Sequence, residues 1–136
     1  MVKAILADNN IRGHLAALMR ILHSADFAEF WDSLHLPTTT FHEVGLTEEA
    51  ADAVLWQVCQ REQIVLVTAN RNAAGPDSLE ATIRAHNTSD CLPVFTIANA
   101  NRVLQDREYA ERVAVKLLDY LLDIENFKGT GRLYLP

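Results

Sequence analysis

Apolar residues follow two rhythms along this chain, short continuous runs and 3.6-residue stripes, and their alternation predicts a β/α repeat. Val2 to Ala7 is a first apolar strand, closed by the polar cluster Asp8-Asn9-Asn10. Ile11, Leu15, Leu18 and Leu22 then recur at helical spacing. Ser24 is expected to cap a second helical segment with an aromatic stripe of Phe27, Phe30, Trp31 and Leu34, which Pro37 ends. Thr38 to Phe41 reads as a weak second strand, β-branched and modestly apolar. After Gly45, Thr47 can cap a helix running to about Arg61, with Ala51, Val54, Leu55 and Val58 as its buried stripe and Asp52 at the edge of that stripe.

Ile64 to Val67 is continuously apolar and rich in branched residues, as expected of a strand buried on both faces of a parallel sheet. Pro76-Asp77-Ser78-Leu79-Glu80 opens a further helix, with proline and acids in favoured early positions. Pro93 to Ile97 is a fourth strand. The last helix is expected from about Asp106 to Ile124, with Val113, Leu117, Leu121 and Ile124 in one line. Val115, Leu118 and Leu122 widen that face, so part of it is expected to bury against a second subunit in a homodimer. Gly129 and Gly131 flank a turn before a short edge strand, Leu133-Tyr134-Leu135.

This alternation implies right-handed crossovers and a three-layer α/β/α sandwich around a mostly parallel sheet of about four to five strands, spanning residues 1–136 as one domain. All strand exits then share one edge, where open α/β folds place ligands. Asn9 and Asn10, Asn70 and Asn72, and Asn99 and Asn101 each follow an apolar strand and should converge there. Asparagine also suits turns and caps, so the convergence has a plain structural explanation beside a ligand-binding one.

Composition narrows the function classes. A hydrophobic fraction of 49% in 136 residues supplies a sizeable core. The net charge of −6, from 12 basic and 18 acidic residues, argues against a surface that grips a long phosphate backbone. Nucleic-acid contact is therefore expected to be local. Cys59 and Cys91 read as buried thiols rather than a disulfide or metal pair. The apolar run at the amino terminus is too short for a signal peptide, and no run is long enough for a membrane span, so a cytoplasmic protein with no membrane partner is expected.

Three stretches carry most of the candidate chemistry. Leu6-Ala7-Asp8-Asn9-Asn10, Gly45-Leu46 followed by Asp52, and Thr68-Ala69-Asn70-Arg71-Asn72 together resemble the PIN and PIN-like domains, most closely a small bacterial branch. The order and spacing of these motifs carry the resemblance over residues 2–72; the remainder follows by strand and helix order. That family implies a metal-dependent ribonuclease, often a toxin with an antitoxin partner, in which clustered acids hold Mg2+ or Mn2+. Carried onto this chain, the resemblance makes Asp8, Asp52, Asn70 and Asn72 the catalytic positions. Asp8, Asp52 and Asn70 become the metal ligands, and Asn9, Asn10, Arg71 and Asn99 the substrate contacts.

The chain departs from the family at two places. Residues 24–36 form an added helical segment, and the paired carboxylates of the strand tip are amides, Asn70 and Asn72. An amide offers a carbonyl oxygen without charge, so the metal is expected to bind weakly and hydrolysis of RNA to be impaired. The alternative is an inactive PIN-like module that binds RNA, a small ligand or a protein. Asp77 and Glu43 are further acids that could swing in to help, but neither occupies a motif position, and Asp77 equally suits dipole and cap stabilisation of the helix it precedes. Other chemistries have thinner support: the histidines show no ligand spacing, Ser78 and Ser89 lack a nucleophile elbow, and Gly129-Thr130-Gly131-Arg132 lacks the P-loop pattern.

Overall fold

A computed structural model of the chain describes residues 1–71 and 75–136; Asn72 lies outside the described residues. Strand β1 (Ala4–Ala7) is followed by helices α1 (Arg12–Leu22) and α2 (Ala28–Ser33), then β2 (Thr38–Thr39), α3 (Asp52–Glu62) and β3 (Ile64–Thr68). Helix α4 (Leu79–His86), β4 (Val94–Ile97), α5 (Ala100–Gln105), α6 (Arg107–Leu122) and β5 (Arg132–Leu135) complete the order. The sheet is parallel throughout, in the order β2-β1-β3-β4-β5, and the fold is the expected α/β class.

Strand alternation sorts the core into two layers. Ile5, Val65, Val67, Phe95, Ile97 and Leu135 face α1, α2, α5 and α6, where Leu18, Trp31, Val113 and Leu117 are buried. Ala4, Leu6, Ile64, Leu66 and Val94 face α3 and α4 through Leu55, Trp56, Cys59, Leu79 and Ile83. Because side chains alternate, Asp8, Thr68 and Thr96 continue the rows of the second, α3/α4 face.

This sorting has a topological consequence. The connections β3 to β4 and β4 to β5 advance the same way across the sheet, yet α4 lies on one face and α5 and α6 on the other. The last crossover therefore has the opposite hand from the one before it, against the expectation of uniform right-handedness. Packing accounts for the choice of face, since α6 buries Ala110, Val113, Ala114, Leu117, Leu118 and Leu121 in the core that α1 shares. The α3/α4 face is left thinly covered over β5, where Tyr134 is 53% exposed.

Several local expectations are corrected. Helix α3 starts at Asp52 rather than after Thr47, because residues 42–51 are spent on a 3-10 turn and extended backbone; Val54 consequently faces solvent at 47% exposure. Ser24 does not cap α2; its hydroxyl donates to the Ile21 carbonyl at 2.6 Å, closing the end of α1. Of the aromatic stripe, Trp31 is buried and Phe30 exposed, because α2 spans only Ala28–Ser33 and presents one narrow face. Helix α5 was not expected from the sequence; the final helix starts as expected at Asp106, whose side chain accepts from the Tyr109 amide at 3.2 Å, but ends at Leu122 rather than Ile124. Along the final helix Leu118 is buried within the same chain, while Leu122 stays exposed. Among the described residues no helix is long and apolar enough to cross a membrane.

Leu117 is wholly buried between the sheet and the α1 layer. Leu117→Ala should lower the unfolding free energy by about 2–5 kcal/mol, the usual range for truncating a core leucine, whereas Leu122→Ala should change it by less than about 0.5 kcal/mol. Urea titration of both variants checks the assignment, and equal losses would contradict it.

Candidate functional site

The site is assembled at the point where β1 and β3 lie side by side. Their ladder pairs Ala7 with Val67, and the Asp8 amide extends it by donating to the Val67 carbonyl at 2.9 Å. In a 2-1-3-4-5 sheet the chain leaves β1 and β3 towards opposite sides, so their carboxyl ends border the crevice at the topological switch point. Asp8 and Thr68 stand at that crevice.

A chain of hydrogen bonds runs from there to α3. The Thr68 hydroxyl donates to Asp8 Oδ2 at 2.9 Å and accepts from the Asn70 amide at 2.9 Å. Asp8 Oδ1 accepts from the Asn9 amide at 2.8 Å. The Asn70 side-chain Nδ2 then donates to Asp52 Oδ2 at 2.9 Å. Asp52 reaches this position from the first turn of α3, where a carboxylate is also favoured by the unpaired amides of the helix start. Residues far apart in the chain, Asp8, Asp52 and Asn70, are thus tied into one polar cluster, with a cavity of about 210 Å³ beside it lined by Asp8, Asn10, Ile11, Thr68, Ala69 and Asn70.

Beneath the cluster lies Arg132, a residue read from sequence only as part of a turn. Its side chain is 7% exposed. Nη1 donates to the Asn70 carbonyl at 2.8 Å and to Thr96 Oγ1 at 2.6 Å, and Nε donates to Glu80 Oε2 at 3.1 Å. Nη2 is 3.0 Å from the same carboxylate oxygen. The guanidinium fixes the backbone after β3 from below, and Glu80 neutralises it. Gly131, at φ +83°, turns the chain into β5, and its carbonyl accepts from the Val94 amide at 2.9 Å. A cation directly after a Gly-Thr-Gly turn and at the start of a strand was the one available signal of this role.

The other predicted positions divide. Asn10 is exposed at the cavity, while the Asn9 side chain turns away and donates to the Glu48 carbonyl at 2.5 Å. Arg71 reaches across to the Ala98 carbonyl at the end of β4, and its guanidinium lies over the Tyr134 ring, 5.7 Å from the centroid. Asn99 and Asn101 are exposed and do not join the cavity; the Asn99 amide is held by the Tyr109 hydroxyl at 3.1 Å. Convergence of the asparagines is therefore partial, because α5 begins directly after Asn99 and carries Asn101 away from the crevice. Glu43 accepts from Thr40 Oγ1, and Asp77 is exposed beside Ser78, whose hydroxyl caps α4 by accepting from the Ala81 amide at 3.2 Å. A larger hollow lies elsewhere. It measures about 540 Å³, is walled by Leu15, Met19 and Phe41 and contains none of the candidate acids.

The donor set decides what ion these residues fit. Among the described residues no group of three His, Cys, Asp or Glu stands ready to hold a metal. Mg2+, however, is commonly held by only one or two carboxylates and keeps much of its water. Asp8 and Asp52 meet that minimum, and the hydrogen bonds each accepts leave lone pairs unused. Comparison with family models, with curated proteins and with solved structures finds no match.

Asp8 also acts on its surroundings. Cys59, buried in α3, has its thiol pKa pushed up to about 12, first by burial and then by the negative charge of Asp8. The folded state then holds a proton that the unfolded chain releases near pH 9, so this residue's contribution to stability falls as pH rises from about 9 towards about 12. Native protein at pH 8 should therefore show reaction at the half-buried Cys91 but not at Cys59 with a disulfide reagent, and both should react in denaturant. Mass spectrometry of the labelled protein distinguishes the two, and rapid native labelling of Cys59 would contradict the burial.

Proposed function

We propose that this chain is a PIN-like domain whose cluster of Asp8, Asp52 and Asn70 is a divalent-metal site of reduced charge, serving phosphodiester hydrolysis of RNA at a low rate. The observation that carries the reading is the hydrogen-bonded path Asp8–Thr68–Asn70–Asp52, which gathers two carboxylates at the switch point of the sheet. In this reading Asp8 and Asp52 would hold Mg2+ or Mn2+, with the side-chain amide oxygen of Asn70 as a neutral ligand. The ion, when bound, would activate water and stabilise charge on the scissile phosphate. Thr68 orients Asp8 and keeps the Asn70 peptide in place, and Arg132 supports that peptide from beneath. Arg71 and the exposed Asn10 face the substrate, Arg71 by attracting a phosphate. Asn72 belongs to the same motif.

One observation favours a second reading, a binding module without catalysis. Asn70 Nδ2 donates to Asp52, so an amide does for this carboxylate what a cation would otherwise do. Both carboxylates of the cluster thus have hydrogen-bond donors within the chain. RNA, an antitoxin-like protein and a second copy of the chain on the exposed Leu122 side are the partners the resemblance and the helix pattern bring with them.

Calorimetric Mn2+ titration separates the readings. Wild type should bind Mn2+ weakly, and Asp8→Asn or Asp52→Asn should abolish binding together with any Mn2+-dependent cleavage of single-stranded RNA. Asn70→Asp should tighten Mn2+ binding by roughly tenfold, since a restored carboxylate attracts a dication in a concave site. The same change should lower the melting temperature of the metal-free protein, because it replaces a hydrogen bond to Asp52 with like-charge repulsion. Unchanged affinity and unchanged stability would exclude a shared metal site. Binding of RNA without cleavage, in wild type and Asn70→Asp alike, would establish the second reading.

A further inference from the structure

Tyr134 stands on β5 with Arg132 on the α3/α4 face of the sheet, while Leu133 and Leu135 turn into the opposite core. Its ring is 53% exposed, unusual for an aromatic side chain at a sheet position. The ring nevertheless has a partner. Arg71 leaves the backbone next to Asn70, donates to the Ala98 carbonyl, and lays its guanidinium over the Tyr134 ring. A hydrogen-bonded arginine and an aromatic ring thus form one platform beside the acidic cluster, and Arg132 links the two by holding the Asn70 carbonyl. Among the described residues Arg71 forms no ion pair with an acid, whereas Arg132 is neutralised by Glu80 and Arg12 by Glu48.

The geometry points to the Arg71–Tyr134 pair as a base-stacking subsite: an unpaired nucleobase of single-stranded RNA stacks on the exposed part of the Tyr134 ring while the adjacent phosphate pairs with the Arg71 guanidinium. It deepens the ribonuclease reading by assigning the residues that would hold one unpaired nucleotide, and it rests on that reading for the identity of the polymer. A base buried in a duplex cannot offer its face to a protein ring; an unpaired one can. Stacking is tolerant of base identity, because every base has a π face, and an arginine nearby adds attraction for both the ring system and the backbone. The overall charge of −6 fits a contact this local, in which one cation and one ring take the place of a basic surface.

The test uses the full chain, with metal removed by chelation so that binding is read apart from cleavage. Fluorescence anisotropy with a labelled single-stranded RNA oligomer and with an oligomer of the same length carrying an abasic backbone gives two affinities per variant. Tyr134→Ala should weaken binding of the base-bearing oligomer by roughly tenfold and leave the abasic one unchanged, while Tyr134→Phe keeps both affinities near wild type. Arg71→Ala should weaken both. Thermal melts of each variant verify folding, and Tyr134→Phe covers the case in which the alanine variant unfolds. The proposal is overturned if Tyr134→Ala leaves RNA affinity unchanged, if it weakens both oligomers equally, or if wild type prefers duplex. It is also overturned if wild type binds no RNA. Loss of the metal reading would appear separately, as absence of Mn2+ binding that depends on Asp8 and Asp52.

Discussion

Parallel pairing of β1 with β3, prolonged one residue by the Asp8 amide on the Val67 carbonyl, sets Asp8 beside Thr68 on one face of the sheet. A slip of one residue in either strand would send one of these side chains to the opposite face, among Val67 and Ala7. The rest of the cluster depends on this register. Thr68 can bridge Asp8 and the Asn70 amide only from that position, and Asn70 can meet Asp52 only when its own peptide is held there. Apolar rows on both faces of each strand make the register costly to change, since every inward residue would move together.

Among the described residues, each charged group named at the site has a hydrogen-bond partner, but only Arg132 has a counter-charge. Asp52 receives an amide proton from Asn70, Asp8 receives a hydroxyl and a backbone amide, and buried Arg132 is matched by Glu80. A carboxylate in the place of Asn70 would set like charges side by side with Asp52. An amide there donates to Asp52 instead of repelling it, which is why exchanging it for a carboxylate bears on the stability of the cluster. The same proximity of Asp8 reaches Cys59, whose thiol is held protonated by burial and by that negative charge.

Topology controls access to the site. Helices α5 and α6 return on the face of α1, where apolar partners await them, so the α3/α4 face is left open at β5. Arg132 still reaches the cover of α4 through Glu80, but Tyr134, one pleat further along, lies half in solvent. An exposed aromatic ring at the strand tips is thus a by-product of where the last helices find their core. Its link to Arg71 gives that exposure chemical meaning.

Sequence alone determined the parallel α/β class, because buried strands such as Ile64 to Val67 and striped helices such as α6 write their burial into local periodicity. It also determined that Asp8, Asn70 and Arg71 stand at strand exits, since each directly follows an apolar run or its polar tip. Short elements were not legible in the same way: Val54 and Phe30 have helical spacing, but α3 begins late and α2 is too brief to bury more than Trp31. Which exits meet, which face the last helices choose, and that Arg132 and Tyr134 join the site were decided only by the tertiary structure. These facts depend on contacts between residues such as Asn70 and Arg132, sixty-two positions apart, for which one-dimensional pattern contains no term.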